Sequence, residues 1–127
     1  MIQYIASDVD GTLLHGHATT LNPELFDIIR QLKEHGIHFI AASGRQYKNL
    51  RRLFAPVKDD ISYVAENGSM CVHDGKIVSL GHIDTDLIYE IADAAKEYGH
   101  CHTLISTTRT GYTDSQDSDY IDHIRND

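Results

Sequence analysis

The stretch "YIASDVDGTLLHG", residues 4 to 16, runs an apolar segment into two aspartates one residue apart, then a glycine and a threonine. Aspartate is a poor strand former, so Asp8 and Asp10 are not there to build a sheet. Residues i and i+2 of an extended segment project to the same side. Both carboxylates therefore enter one crevice, and Gly11 lets the backbone turn sharply behind them. Two carboxylates that close repel, so a divalent cation or a shared proton is their natural companion. An all-oxygen ligand set suits magnesium, which keeps several waters and pairs with substrate phosphate. Backbone N–H groups of a turn can cradle phosphate oxygens. In that setting one carboxylate can be a nucleophile and its neighbour a proton carrier. The bland alternative is a strand that simply ends in water, and it does not account for the glycine turn that follows.

Working outward, "IQYIA" (2–6) reads as a buried strand. "NPELFDIIRQLKEHG" (22–36) reads as a helix with Asn22 as cap, Pro23 at its first position and Gly36 as its stop. Leu25, Ile28, Ile29 and Leu32 give it one apolar face. "IHFIAAS" (37–43) is a second strand, "QYKNLRRLFA" (46–55) a basic helix ended by Pro56, and "ISYVAE" (61–66) a third strand. "SMCVHDGKIVSLG" is two β-prone runs joined by Asp74-Gly75, a strong hairpin signal. "TDLIYEIADAAKEYG" (85–99) is an amphipathic helix with Leu87, Ile88, Ile91, Ala92 and Ala95 on one side. "HCHTLIST" reads as a strand, and "DSDYIDHIRND" as a short, weakly amphipathic helix. Strand, helix, strand, helix, strand with short connections predicts an α/β protein with a parallel sheet covered on both faces. Such sheets bind ligands beyond the carboxyl ends of their strands, where Asp8, Ser43 and Glu66 all fall.

At 127 residues the chain matches the length of one domain, and 41% apolar with 24% charged residues is ordinary for a globular protein. The formal net charge of −8 argues against a general nucleic-acid or anionic-membrane surface. A small phosphorylated ligand is compatible with it, since a site can be locally positive. Cys71 and Cys101 lack CxxC spacing, and nothing resembles a signal peptide or a long apolar span. The expectation is a reduced, soluble, cytoplasmic protein. Among the nine histidines, His100 and His102 would share one face of a strand, with Cys101 on the other. No second ligand pair accompanies them, so they read as surface histidines rather than zinc ligands. His15 and His17 flank a glycine in a loop and could approach a ligand.

"DVDGTLL", then a helix, then "IAASGR", then "VAENGS" resembles the haloacid dehalogenase superfamily, specifically its Cof-like (type IIB) phosphatase branch. The similarity covers residues 2 to about 99. It implies a Rossmann-like three-layer core over 1–82, with a β-hairpin, and the start of an α+β cap over 83–127. It also implies a magnesium-dependent phosphatase acting on a small phosphorylated metabolite through an aspartyl phosphate. Asp8 matches the nucleophile, and Asp10 the acid that protonates the leaving alcohol and then activates water. Magnesium would sit on the Asp8 carboxylate and the Asp10 backbone carbonyl. Ser43 matches the hydroxyl that holds the transferred phosphoryl group. Gly11 and Thr12 match backbone donors of the first loop, and Gly44 lets the chain pass close by. Arg45 and Asn67 match positions near the substrate pocket.

Bland readings stand beside these. Ser43 could cap the helix that follows "GR". Arg45 could be a surface residue, Glu66 structural, and Arg51 and Arg52 part of a solvated helix face. The family also uses a later lysine and a "GDxxND"-like acidic motif, and "YIDHIRND" does not match the latter. The chain thus reads as the front half of a longer hydrolase, inactive alone. In the resembling fold the strand ending at Asp8 is central, so here it should lie at an edge, where it could mediate self-association. The alternative is a non-catalytic module that binds metal or phosphate or serves assembly. A phospho-accepting receiver is weaker, because the third strand ends in "AENGS" rather than an acceptor aspartate.

Overall fold

The computed structural model describes residues 2–16 and 18–126, in two compact units that meet in sequence at Gly81 and His82. His17 lies outside the described residues. The first unit runs β1 (Tyr4–Asp8), α1 (Pro23–Glu34), β2 (His38–Ala42), α2 (Tyr47–Leu53), β3 (Ser62–Ala65), β4 (Met70–His73) and β5 (Lys76–Leu80). The five strands form one sheet in sequence order. β1, β2 and β3 are parallel, with Asp8 opposite Ala42 and Ala42 opposite Val64. β4 and β5 continue antiparallel, so the sheet as a whole is mixed. The hairpin turn is made by Asp74 and Gly75, both at positive φ (48° and 71°), as a two-residue primed turn requires. β1 is an edge strand, with no partner on its outer side among the described residues.

Helix α1 begins as its composition dictates. The Asn22 side chain accepts from the Glu24 N–H at 3.0 Å, and Pro23 occupies the first turn. One core cluster unites Ile29 of α1 and Leu50 of α2 with Phe39, Ala41, Tyr63, Ala65, Met70 and Val72 of the sheet. Both helices therefore cover the same face. Covering on both faces was the expectation. Two crossovers of the same hand, stepping from β1 to β2 to β3 in one direction, place their helices on one side instead.

The second unit contains α3 (Thr85–Tyr98), a short antiparallel pair β6 (Ile105–Ser106) and β7 (Gly111–Tyr112), and α4 (Ser118–Asn126). Gly99 ends α3 in the left-handed conformation (φ 74°). No α3 residue is fully buried, and Leu87 and Ile91 remain about half exposed. The strand expected over "HCHTLIST" is confined to Ile105–Ser106, so His100 and His102 do not share a strand face. The His102 ring instead stacks on Tyr120 (centroids 4.3 Å apart), with Ser115 at Nδ1 and Asp117 at Nε2. Asp117 in turn accepts from the N–H groups of Asp119 and Tyr120 and so caps α4. Among the described residues no helix is long and apolar enough to cross a membrane.

On the sheet face away from the helices, Ser62 lies between two histidines. Its Oγ is 2.8 Å from His38 Nε2 and 2.7 Å from His73 Nδ1. A hydroxyl has one proton, so it donates to one ring and accepts from the other. Asp74 Oδ2, 3.6 Å from His73 Nε2, favours the proton on that nitrogen. That leaves His73 Nδ1 to accept from Ser62 and His38 Nε2 to donate to it. Burial, and then the nearby His73, hold His38 below its ordinary titration range. A histidine depressed in the folded state is protonated more readily when unfolded, so its stabilising effect is complete above the unfolded value. The effect is lost as pH falls from about 6.5 toward the folded value. Urea midpoints should therefore drop as the pH is lowered from about 7 through the ordinary histidine range, and His38→Gln should flatten that slope. Equal slopes in the two proteins would refute this account.

Candidate active site

The loop after β1 is organised by Val9. Its side chain is completely buried, and its carbonyl accepts from the N–H groups of Thr12, Leu13 and Leu14 at 3.3, 2.8 and 2.8 Å. Gly11, at φ 82°, closes the turn with its N–H on the Leu14 carbonyl at 2.7 Å. With Val9 anchored inward, the flanking Asp8 and Asp10 are both exposed. The Thr12 hydroxyl donates to Asp8 Oδ2 at 3.4 Å.

Asp10 is tied to the loop after β2. Arg45 grips its carboxylate with two nitrogens, Nε to Oδ2 at 2.9 Å and Nη2 to Oδ1 at 2.8 Å. This is the bidentate geometry that suits guanidinium to carboxylate. The Ser43 hydroxyl adds a long contact to Oδ2 at 3.5 Å. Asp10 is consequently held below the usual carboxylate range, chiefly by the Arg45 hydrogen bonds, with burial opposing. Arg45 is thus a partner of Asp10 and not a plain surface residue. Ser43 is buried, and its Oγ accepts from the Arg45 N–H at 3.1 Å. It does not cap α2, whose N-cap is Gln46 with no side-chain cap bond. Arg51 pairs with Asp59 at 2.8 Å and also reaches the Lys58 carbonyl, a structural tie.

A third loop completes the assembly. Glu66 and Asn67 both adopt left-handed backbone (φ 52° and 55°), followed by Gly68 at φ 93°. A non-glycine residue there costs of order 1–3 kcal/mol. The Glu66 N–H donates to the Arg45 carbonyl at 3.0 Å and the Asn67 N–H to the Ser43 carbonyl at 3.2 Å. The Asn67 side chain lies so close to Gly44 that a Cβ there would meet Oδ1 at 3.0 Å. Asn67 was matched to the substrate pocket from its place in "VAENGS"; the structure puts it against the Ser43–Arg45 loop. The sequence signal for this contact is thin, a glycine in one loop and an asparagine in another.

Among the described residues no group of three or more His, Cys, Asp or Glu side chains converges as a metal site. The donors that are present are nonetheless hard oxygens. Asp8, with its carboxylate exposed at the strand end, fits an ion that takes one or two protein ligands and fills its shell with water and phosphate.

The family model described as haloacid dehalogenase-like hydrolase matches residues 5–127. The chain is 36% identical over 92 residues to the 5-amino-6-(5-phospho-D-ribitylamino)uracil phosphatase YbjI of Escherichia coli, covering 72% of this chain and 34% of the relative. It is 30% identical over 93 residues to phosphatase YwpJ of Bacillus subtilis, covering 71% and 32%. Among solved structures, a protein of Eubacterium rectale aligns with a TM-score of 0.85 at 27% identity, over 98% of this chain and 47% of that one. SMU.1108c of Streptococcus mutans aligns with a TM-score of 0.88 at 24% identity, over 98% and 48%, and shows the shared fold. The chain spans about a third of these two curated relatives and about half of the two solved chains. With the three loops ordered as the DxDGT, SGR and ENG motifs require, the chain belongs to the haloacid dehalogenase-like hydrolases, in their Cof-like branch.

Proposed function

We propose that the protein acts as a phosphatase on a small phosphorylated metabolite, with Asp8 as the nucleophile and Asp10 as the proton carrier. The observation that carries this reading is the placement of Asp10 beside Asp8 at a strand end, gripped by Arg45 and touched by Ser43. The Asp8 carboxylate attacks phosphorus and the P–O bond to the leaving alcohol breaks, giving an aspartyl phosphate. Asp10 supplies the proton to that alcohol and then takes one from the water that cleaves the acyl phosphate, so protons balance over the cycle. The Ser43 hydroxyl and the Gly44 backbone hold the phosphoryl oxygens, whereas the N–H groups of Gly11 and Thr12, matched to the same role, already donate to the Leu14 and Val9 carbonyls within the turn. Magnesium bound by the Asp8 carboxylate and the Asp10 carbonyl would offset charge between nucleophile and phosphate.

Arg45 gives Asp10 a charge state that responds to substrate. Without phosphate its two hydrogen bonds keep Asp10 ionised. A phosphate dianion competes for the same guanidinium, and a contact taken from Arg45 lets Asp10 carry a proton. The relatives bear phosphatase names, among them phosphoglycolate phosphatase 1 of Saccharolobus solfataricus, which supports the substrate class without selecting a substrate. The rival, a non-catalytic module, predicts phosphate binding with no turnover.

In a form of the protein that hydrolyses a phosphate monoester, Asp8→Asn should reduce turnover to background while the fold persists. Asp10→Asn should slow it by roughly 10²–10⁴-fold. Near-normal turnover by Asp8→Asn would sink the assignment. Independently of activity, Arg45→Gln should move the Asp10 carboxyl upward toward its ordinary value, followed by carbon NMR across an acid titration. An unmoved Asp10 would show that Arg45 does not set its charge.

A further inference from the structure

Resting on that reading of Asp10 and the Ser43–Arg45 loop, we propose that Asn67 is a positioning residue for Asp10. It acts through the backbone that carries Arg45. The segment from Ser43 to Gln46 must hold a guanidinium on a carboxylate 35 residues away in sequence, yet α2 gives it no side-chain cap. Its start is pinned by the Ser43 N–H on the Val64 carbonyl at 2.9 Å. Beyond that point the 66–67 turn supplies main-chain ties, to the carbonyls of Ser43 and Arg45 at 3.2 and 3.0 Å. These two donors point at the loop only while Glu66 and Asn67 stay left-handed.

Asparagine is several-fold enriched in that conformation and glutamate is not, so Asn67 is the residue suited to keep the turn. Its side chain also fills the space above Gly44, with Oδ1 and Nδ2 3.0 and 3.3 Å from where a Cβ would stand. The strain in this turn is thus matched by contacts that end at Asp10. Strained backbone persists where its surroundings over-determine it, and it clusters at functional sites. Among the described residues the side-chain hydrogen bonds to the two carboxylates come from Thr12, Ser43 and Arg45 and not from Asn67, which separates its role from that of Ser43 and Arg45.

The test uses this chain, without substrate, and reads the Arg45 Nε–H resonance, which reports the bond to Asp10. In Asn67→Ala, which disfavours the left-handed backbone, that proton should exchange about tenfold faster or more at a temperature where the protein remains fully folded. Asn67→Gly, free to keep φ positive, should retain the slow exchange. Gly44→Ala should disturb the resonance by pressing a methyl onto Asn67, and the double change Gly44→Ala with Asn67→Gly should restore it by vacating that space. Wild-type exchange in a folded Asn67→Ala protein would overturn the proposal. If Asn67→Ala does not fold, failure of the double change to restore Gly44→Ala would overturn it. No readout here depends on turnover, so failure of the phosphatase assignment would leave this result distinguishable.

Discussion

Burial of a single valine between two aspartates is the constraint from which the site follows. Val9 has no exposed surface, and three successive N–H groups converge on its carbonyl. The inward side chain fixes the strand's face, and the converging donors fix where the chain reverses. Asp8 and Asp10 are then both directed outward. Their common direction is a by-product of strand alternation.

Arg45 then sets the two acids apart. A guanidinium held in a two-point grip neutralises one of the two acids and pushes its titration down, leaving Asp8 as the carboxylate without a cationic side-chain partner among those described. The two acids therefore differ in environment although their neighbours in sequence are nearly the same. Environments that separate paired carboxylates are how acid and nucleophile roles become distinct. The grip lies at the surface, where such pairs contribute little to stability, so its meaning is orientation and charge state.

Much of this was legible from local chemistry. The glycine turn after the aspartates, the Asn22 cap and the Asp74-Gly75 hairpin each depend on residues within a few positions, and the structure has all three. The pairing of Arg45 with Asp10 joins residues 35 apart, and no pattern in the sequence connects them. The left-handed Glu66 was likewise invisible, since glutamate carries no preference for that conformation. The strand read over "HCHTLIST" failed for a different reason. Its β-prone composition was real, but His102 is taken up by Ser115, Asp117 and Tyr120, and side-chain ties of that kind left only Ile105 and Ser106 in the ladder.

The mixed sheet also sets an order on chain entropy. The β4–β5 hairpin closes over Asp74 and Gly75 alone, the least demanding connection a sheet can have. The β1–β2 pairing must close a loop of about thirty residues that contains α1, and closure entropy rises with that length. Asp10 meets Arg45 only when that parallel pairing is in place. The end of the sheet that carries Asp8 and Asp10 thus coincides with its most non-local contacts, and the hairpin end with its most local ones. Contact order is graded across the sheet, and the loops that carry Asp10 and Arg45 sit at its non-local end.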